Sequence, residues 1–213
     1  MSEKVKAYHT TNKNYTKSIQ QNGFEMSKPN KGHWLGTGVY FYEDIYFAVE
    51  WCIIGVNKNI KNYVELCSNC DIIYAIINCE DFETLDISSP RGYSIFQKMY
   101  RIIENNYTEE EYKEIIQKGD AYIVNILEEL ELKIGIQILS NYDIIVANYP
   151  KSIYSRPNNE KSKPGNFTLC SQKQICVKTL EAISEFDKIK IDNNKEIENI
   201  YDLVVKNRSD IYG

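Results

Sequence analysis

The chain has 213 residues, 43% hydrophobic and 26% charged, with 10 Gly, 5 Pro and a formal net charge of −5. These values exclude a disordered, collagen-like or low-complexity chain, and a length of this order buries roughly 70% of the unfolded surface in one ordinary core. Mild acidity gives no general attraction for phosphate backbones or anionic lipid, no apolar run approaches the roughly 20 residues of a membrane helix, and MSEKVKAYHTTNKNY offers no signal-peptide core, so the expected compartment is the cytoplasm with no membrane partner.

In chain order, Val5 to His9 is short and β-prone and predicts a strand that delivers His9 to an edge. Asn12 to Asn22 reads as a helix with Tyr15, Ser18 and Ile19 on one face and Gly23 as its stop. Met26 to Thr37 is rich in turn residues and reads as loop. Val39 to Phe41 is a short strand, after which Asp44 caps a helix running to about Ile54.

Asp71 to Cys79 is a near-continuous apolar run of strand length and predicts a central strand. From Ile95 to about Leu139 the period turns helical, with Thr108 and Glu111 spaced as a capping box and Gly119 separating two helices. Asp143 to Asn148 returns to strand. Tyr149 to Thr168, with three prolines and many Asn, Lys and Ser residues, reads as a long surface loop made basic by Lys151, Arg156, Lys161 and Lys163. Gln174 to Lys178 is a buried-type strand opened by Gln174, and the polar tail from Asp192 carries Ile197, Ile200, Leu203 and Val204 at helical spacing. Strands mixed with segregated helices, without strict βαβ alternation, predict an α+β fold in one domain over residues 1–213.

The six cysteines, at 52, 67, 70, 79, 170 and 176, read as free thiols in a chain without a secretion signal. Cys67-Ser-Asn-Cys70 is a lone pair. Zinc normally needs a second pair, and neither His9 nor His33 lies at finger-like spacing, so no metal is expected. A cysteine hydrolase built on Cys52 and His9 is disfavoured because Cys52 lies late in its helix, far from the N-terminus that would lower a thiol pKa.

The densest chemistry lies in WLGTGVYFYEDIYFAVEWC, residues 34–52. Gly36 and Gly38 allow close backbone approach, and Tyr40, Phe41, Tyr42, Tyr46, Phe47 and Trp51 follow. Such aromatics suit a packed core or a slot for a flat ring, and spacing does not decide between the two. His9, one of only two histidines, is open to the same double reading.

His9 in YHTT, Tyr40 in GTGVYF, the aromatic Trp51 eleven residues on, and Gln174 in QICVK together resemble the ADP-ribosyltransferase fold in its diphtheria-toxin-like, poly(ADP-ribose)-polymerase-like branch, which carries a His-Tyr-Glu triad. The resemblance spans most of the chain and is most specific at LGTGVYF with Ala48 to Cys52. It implies a split β-sheet core with a helical insertion at about 92–140, and NAD as substrate with ADP-ribose passed to a macromolecular acceptor, protein or nucleic acid, in a toxin-like effector with a partner such as an antitoxin. It implies His9, Tyr40 and Gln174 as catalytic residues, with His9, Thr10, Gly38, Tyr40 and Trp51 holding NAD. On that reading His9 bonds the adenosine-ribose hydroxyls, donating and accepting. Tyr40 and Trp51 take the two faces of nicotinamide, and the Thr10 backbone grips its carboxamide. Gln174 stands where the family has glutamate, so mono-transfer is expected rather than chain elongation, and a degenerate NAD- or ADP-ribose-binding module or an NAD glycohydrolase is the alternative.

Overall fold

The computed structural model describes residues 4–27, 33–56, 60–150 and 171–212. The fold is α+β. Strand β1 (Lys4–Asn12) runs into helix α1 (Lys13–Asn22), whose first turn is capped by the Asn12 side chain accepting from Asn14 N–H and whose end is Gly23 at φ +83°. A loop leads to β2 (Val39–Tyr42) and α2 (Ile45–Trp51), capped by Asp44. The helix expected to reach Ile54 passes instead into a π-helical turn over Cys52–Val56. Helix α3 (Tyr63–Asn69) precedes β3 (Cys70–Asn78), and a short β4 (Thr84–Asp86) follows.

The predicted helical segment is three helices, α4 (Pro90–Asn106), α5 (Glu109–Gln117) and α6 (Asp120–Ile134). The Thr108–Glu111 capping box is made in both directions, and Gly119 at φ +89° divides α5 from α6. Strands β5 (Ile144–Pro150), β6 (Ser171–Val177) and β7 (Ile183–Ile189) and helix α7 (Lys195–Tyr212) complete the order. The expected basic loop falls almost wholly on residues 151–170, which lie outside the described residues.

One seven-stranded sheet runs in the order β4-β5-β6-β2-β1-β3-β7. All neighbours are antiparallel except β4 and β5, which are parallel and joined by the α4–α6 crossover. The strands form one continuous sheet rather than the split core expected, with a splay between two of its neighbours. β1 pairs with β3 along its whole length, from Lys4 opposite Asn78 to Asn12 opposite Cys70, whereas β1 meets β2 only at Tyr8 opposite Tyr42. From that pair the two strands diverge.

Two further expectations are corrected here. Gln174 does not open its strand: β6 starts at Ser171, and Gln174 sits inside it, opposite Tyr42 on one side and Ala147 on the other. β3 is one strand from the edge rather than central, because β7 covers it. Glu185, Asp187 and Lys188 on that edge strand keep it from templating further pairing.

The core has three parts. Helices α4–α6 pack Phe96, Met99, Ile103, Ile123 and Leu127 against Ile145 and Cys176. α2, the π turn, α3 and α7 pack around Tyr42, Ile72 and Cys70. Phe41, Ile73, Ala75, Ile144 and Ile175 form a third cluster with Phe24. Among the described residues no helix is long and apolar enough to cross a membrane.

Candidate functional site

Where β1 and β2 part, the sheet opens into a cavity of about 400 Å³, within the range of small-molecule sites. His9, Thr10, Gly38, Tyr40, Trp51 and Gln174, the six residues singled out in the sequence, all line it. They come from β1, β2 and its approach, the end of α2, and β6, and it is the strand order β6-β2-β1 that brings residues up to 165 positions apart to one hollow.

His9 is half-buried, its ring edge-on to Phe24 at 5.2 Å and tilted to Phe41 at 5.7 Å. Its Nδ1 lies 2.9 Å from the Tyr40 carbonyl oxygen. A carbonyl only accepts, so Nδ1 carries the hydrogen and Nε2 is the acceptor of a neutral ring. Burial pushes the imidazole pKa down, and the Tyr40 carbonyl offsets part of that shift. The expectation that His9 both donates to and accepts from a ribose diol is therefore corrected. Its donor is committed to the strand it bridges, and only Nε2 is left for a ligand.

Tyr40 is held at its tip. Its hydroxyl accepts from Leu35 N–H at 2.8 Å and donates to the Gly36 carbonyl at 2.7 Å, which anchors the glycine loop to β2. Burial, with the Cys176 thiol beside it, drives the phenol well above its ordinary range, so it stays protonated. The Tyr40 ring packs on His33, with centroids 5.4 Å apart, while Trp51 packs on Tyr42 at 6.5 Å. Each proposed stacking ring thus has a second aromatic against it. Trp51 is 38% exposed, and its indole lies over Gly55, where a Cβ would come within 2.2 Å of the ring. The π turn places a glycine at that point of contact.

Gly38 lines the cavity and has a packing task as well. A Cβ there would stand 2.4 Å from Cys176 Sγ and 2.8 Å from the Val177 carbonyl, so the glycine is required by the packing of β2 on β6. Its N–H is already donated to Ser27 Oγ at 3.2 Å. The Thr10 hydroxyl likewise donates to the Ala48 carbonyl at 2.8 Å, so its hydrogen is not available to a ligand.

Gln174 is buried, and so is Gln172 two residues before it. Gln172 lies beside Tyr42 and offsets part of the rise in the phenol's pKa that burial and Glu50 cause. The Cys52 thiol does not line the cavity. It is fully buried and its pKa is pushed well up by burial and by Cys70, which suits packing and not nucleophilic attack.

His33, Trp34, Tyr42, Ser27 and Phe24 also line the cavity and were not singled out as site residues. For His33 and Trp34 the available signal was a histidine and a tryptophan inside a turn-rich segment, GHWLGTG, where loop residues that are costly to expose invite a functional reading. Glu128 carried no signal at all. From α6 its carboxylate accepts from Thr37 N–H at 2.9 Å and pairs with Lys178, fastening the helical insertion to the glycine loop. Among the described residues no three His, Cys, Asp or Glu side chains gather into a metal-holding group.

No family model matches the chain, and no solved structure gives a significant match. It is similar to an uncharacterised protein of Methanocaldococcus jannaschii, MJ0359, with 24% identity over 188 residues, covering 84% of this chain and 85% of that one. The likeness runs through nearly the full length of both chains and carries no activity with it.

Proposed function

We propose that the protein is an NAD-dependent mono-ADP-ribosyltransferase, cleaving the nicotinamide–ribose bond and passing ADP-ribose to a macromolecular acceptor. One observation carries this reading: His9, Tyr40 and Gln174, from three adjacent strands, line one cavity at the splay of the sheet. In it, His9 Nε2 accepts a hydrogen bond from an adenosine-ribose hydroxyl. Tyr40 and Trp51 hold the nicotinamide ring, each stacked pair contributing about 0.5–1.5 kcal/mol. The Gln174 carbonyl accepts from the 2′-hydroxyl of the nicotinamide ribose, placing electron density beside the oxocarbenium-like sugar as the bond breaks. A neutral amide stabilises that cation less than a carboxylate does, which favours a single transfer over chain elongation.

The test uses NAD labelled in its adenylate, with cell extract divided into protein, DNA and RNA fractions, and with nicotinamide release followed in parallel. Label on one fraction names the acceptor class. Nicotinamide release without labelling leaves an NAD glycohydrolase. The uncharged Gln174 itself favours a second reading, a module that binds NAD or ADP-ribose without turnover; a measurable Kd with no nicotinamide released would select it.

Gln174→Glu separates the readings further. Hydrogen bonds to charged groups contribute about 1.5–3 kcal/mol against about 1 for neutral ones, so a transferase gains roughly tenfold in nicotinamide release. A binding module gains none, and an unchanged or lower rate in a variant that still binds NAD would refute the role given to Gln174.

A further inference from the structure

We propose that His33 is the proton acceptor for the group that attacks NAD, an assignment that rests on reading this cavity as the NAD-cleaving site. In the transfer, the C1′–N bond breaks and its electron pair leaves with nicotinamide as the neutral base. A lone pair on an acceptor oxygen or nitrogen forms the new bond to C1′, and the proton on that atom must then be taken up. Gln174 cannot take it, because a carboxamide is not basic in water.

Among the described residues, the titratable side chains lining the cavity are His9, Tyr15, Glu25, His33, Tyr40 and Tyr42. Burial raises the pKa of the Tyr40 and Tyr42 phenols, and a phenol is in general no base at neutral pH. His9 has its Nδ1 hydrogen bound to β2 and its Nε2 assigned to the adenosine ribose. Glu25 lies exposed at the rim, and carboxylates as a class are weaker bases than imidazole. His33 remains.

Its position suits the task. The ring sits against Tyr40, beside the face that would hold nicotinamide, and its backbone is fixed by Asn125 Nδ2 donating to the His33 carbonyl at 2.7 Å. Nδ1 is 3.4 Å from Ser27 Oγ. Ser27 Oγ also accepts from Gly38 N–H; in the tautomer that carries its hydrogen on Nδ1, Ser27 accepts that hydrogen too, and Nε2 is the basic nitrogen the role requires. The next residue, Trp34, lines both this cavity and a second hollow of about 870 Å³ bordered by Tyr93, Tyr100 and Tyr149. An acceptor group that enters past Trp34 arrives at His33.

The charged group facing His33 from the packed elements is Glu128 of α6, itself paired with Lys178; across the cavity stand His9, Glu25 and the tyrosines. Burial lowers the His33 pKa and outweighs the pull of Glu128 in the other direction, so the ring is neutral at pH 7 and ready to accept a proton.

The experiment compares wild type, His33→Gln and His33→Asn for NAD affinity, nicotinamide release and label transfer from pH 5 to 8, with matched thermal unfolding to show that the fold is kept. Methanol serves as a defined acceptor beside the cell extract, read as methyl ADP-ribose. The expected result is a loss of transfer of about 100-fold or more at unchanged NAD affinity. In wild type, transfer falls on acidification through a single titration below the ordinary histidine range, and this acid limb is absent from the variants. Added imidazole restores part of the transfer in His33→Gly. Variants that transfer at the wild-type rate with the same acid limb overturn the role of His33 and leave NAD cleavage standing. A wild type that releases no nicotinamide overturns the transferase reading, and the role of His33 with it.

Discussion

If the cavity cleaves NAD as proposed, Tyr40→Ala is expected to reduce that cleavage by about 100-fold or more, the loss that follows when a reacting group is displaced by about 1 Å. Two effects combine. The ring that orients nicotinamide is removed, and so is the post to which Leu35 N–H and the Gly36 carbonyl are tied, so the glycine loop beside the cavity loses its position. Tyr40→Phe separates them. The ring stays, while Leu35, only 1% exposed, is left with an unpaired N–H. That costs about 1–3 kcal/mol of stability, read as a lower denaturation midpoint. Cleavage falls far less than in Tyr40→Ala. Full activity in a folded Tyr40→Ala protein would mean that the cavity holds its ligand without this ring, and the proposed site would be lost.

The second large effect is on stability, at Asp71. This residue lies on β3, is fully buried, and joins three elements. Its Oδ2 accepts from Thr16 Oγ1 of α1 at 2.6 Å, and Oδ1 stands 2.8 Å from Lys188 Nζ of β7. Breaking a buried ion pair by removing one partner costs about 3–5 kcal/mol. Lys188 is partly exposed and can turn toward water, so Asp71→Ala is placed at the lower end, about 3 kcal/mol in denaturant unfolding. Asp71→Ala/Lys188→Met, which removes both charges, recovers part of that loss. An unchanged midpoint in Asp71→Ala would show that the pair contributes nothing net. The chain places this aspartate inside an otherwise apolar strand, which gives the run DIIYAIINC a polar tie at its start.

What the sequence could say about the site followed from interactions that are local. The Asp44 and Thr108 caps, the Gly23 and Gly119 breaks and the strand around Tyr40 each depend on neighbours within a few residues, so each was legible. His9, Tyr40, Trp51 and Gln174 were legible as a set because short motifs carry them, and the cavity does receive all four. β7 and α3 were not anticipated: β7 is a half-polar edge strand with weak alternation, and α3 is a short helix of about two turns whose cap, Asn62, has little apolar periodicity after it.

The functional state of each site residue is another matter, because it depends on partners that only folding supplies. His9 loses its donor to a carbonyl 31 residues away, Gly38 is required by a thiol on β6, and Gln172 is drawn to Tyr42. The glycine loop is fastened by a glutamate 91 residues on, and His33 gains its place in the cavity from Ser27 and Asn125. Composition, capping and periodicity determined an α+β chain, since those rules act over a turn or a strand, whereas the residues of its cavity came from the resemblance carried by a few short motifs. Which nitrogen of His9 is free, which glycine serves packing and which histidine can take a proton were decided by tertiary structure, because hydrogen-bond commitment and burial are properties of contacts between distant segments.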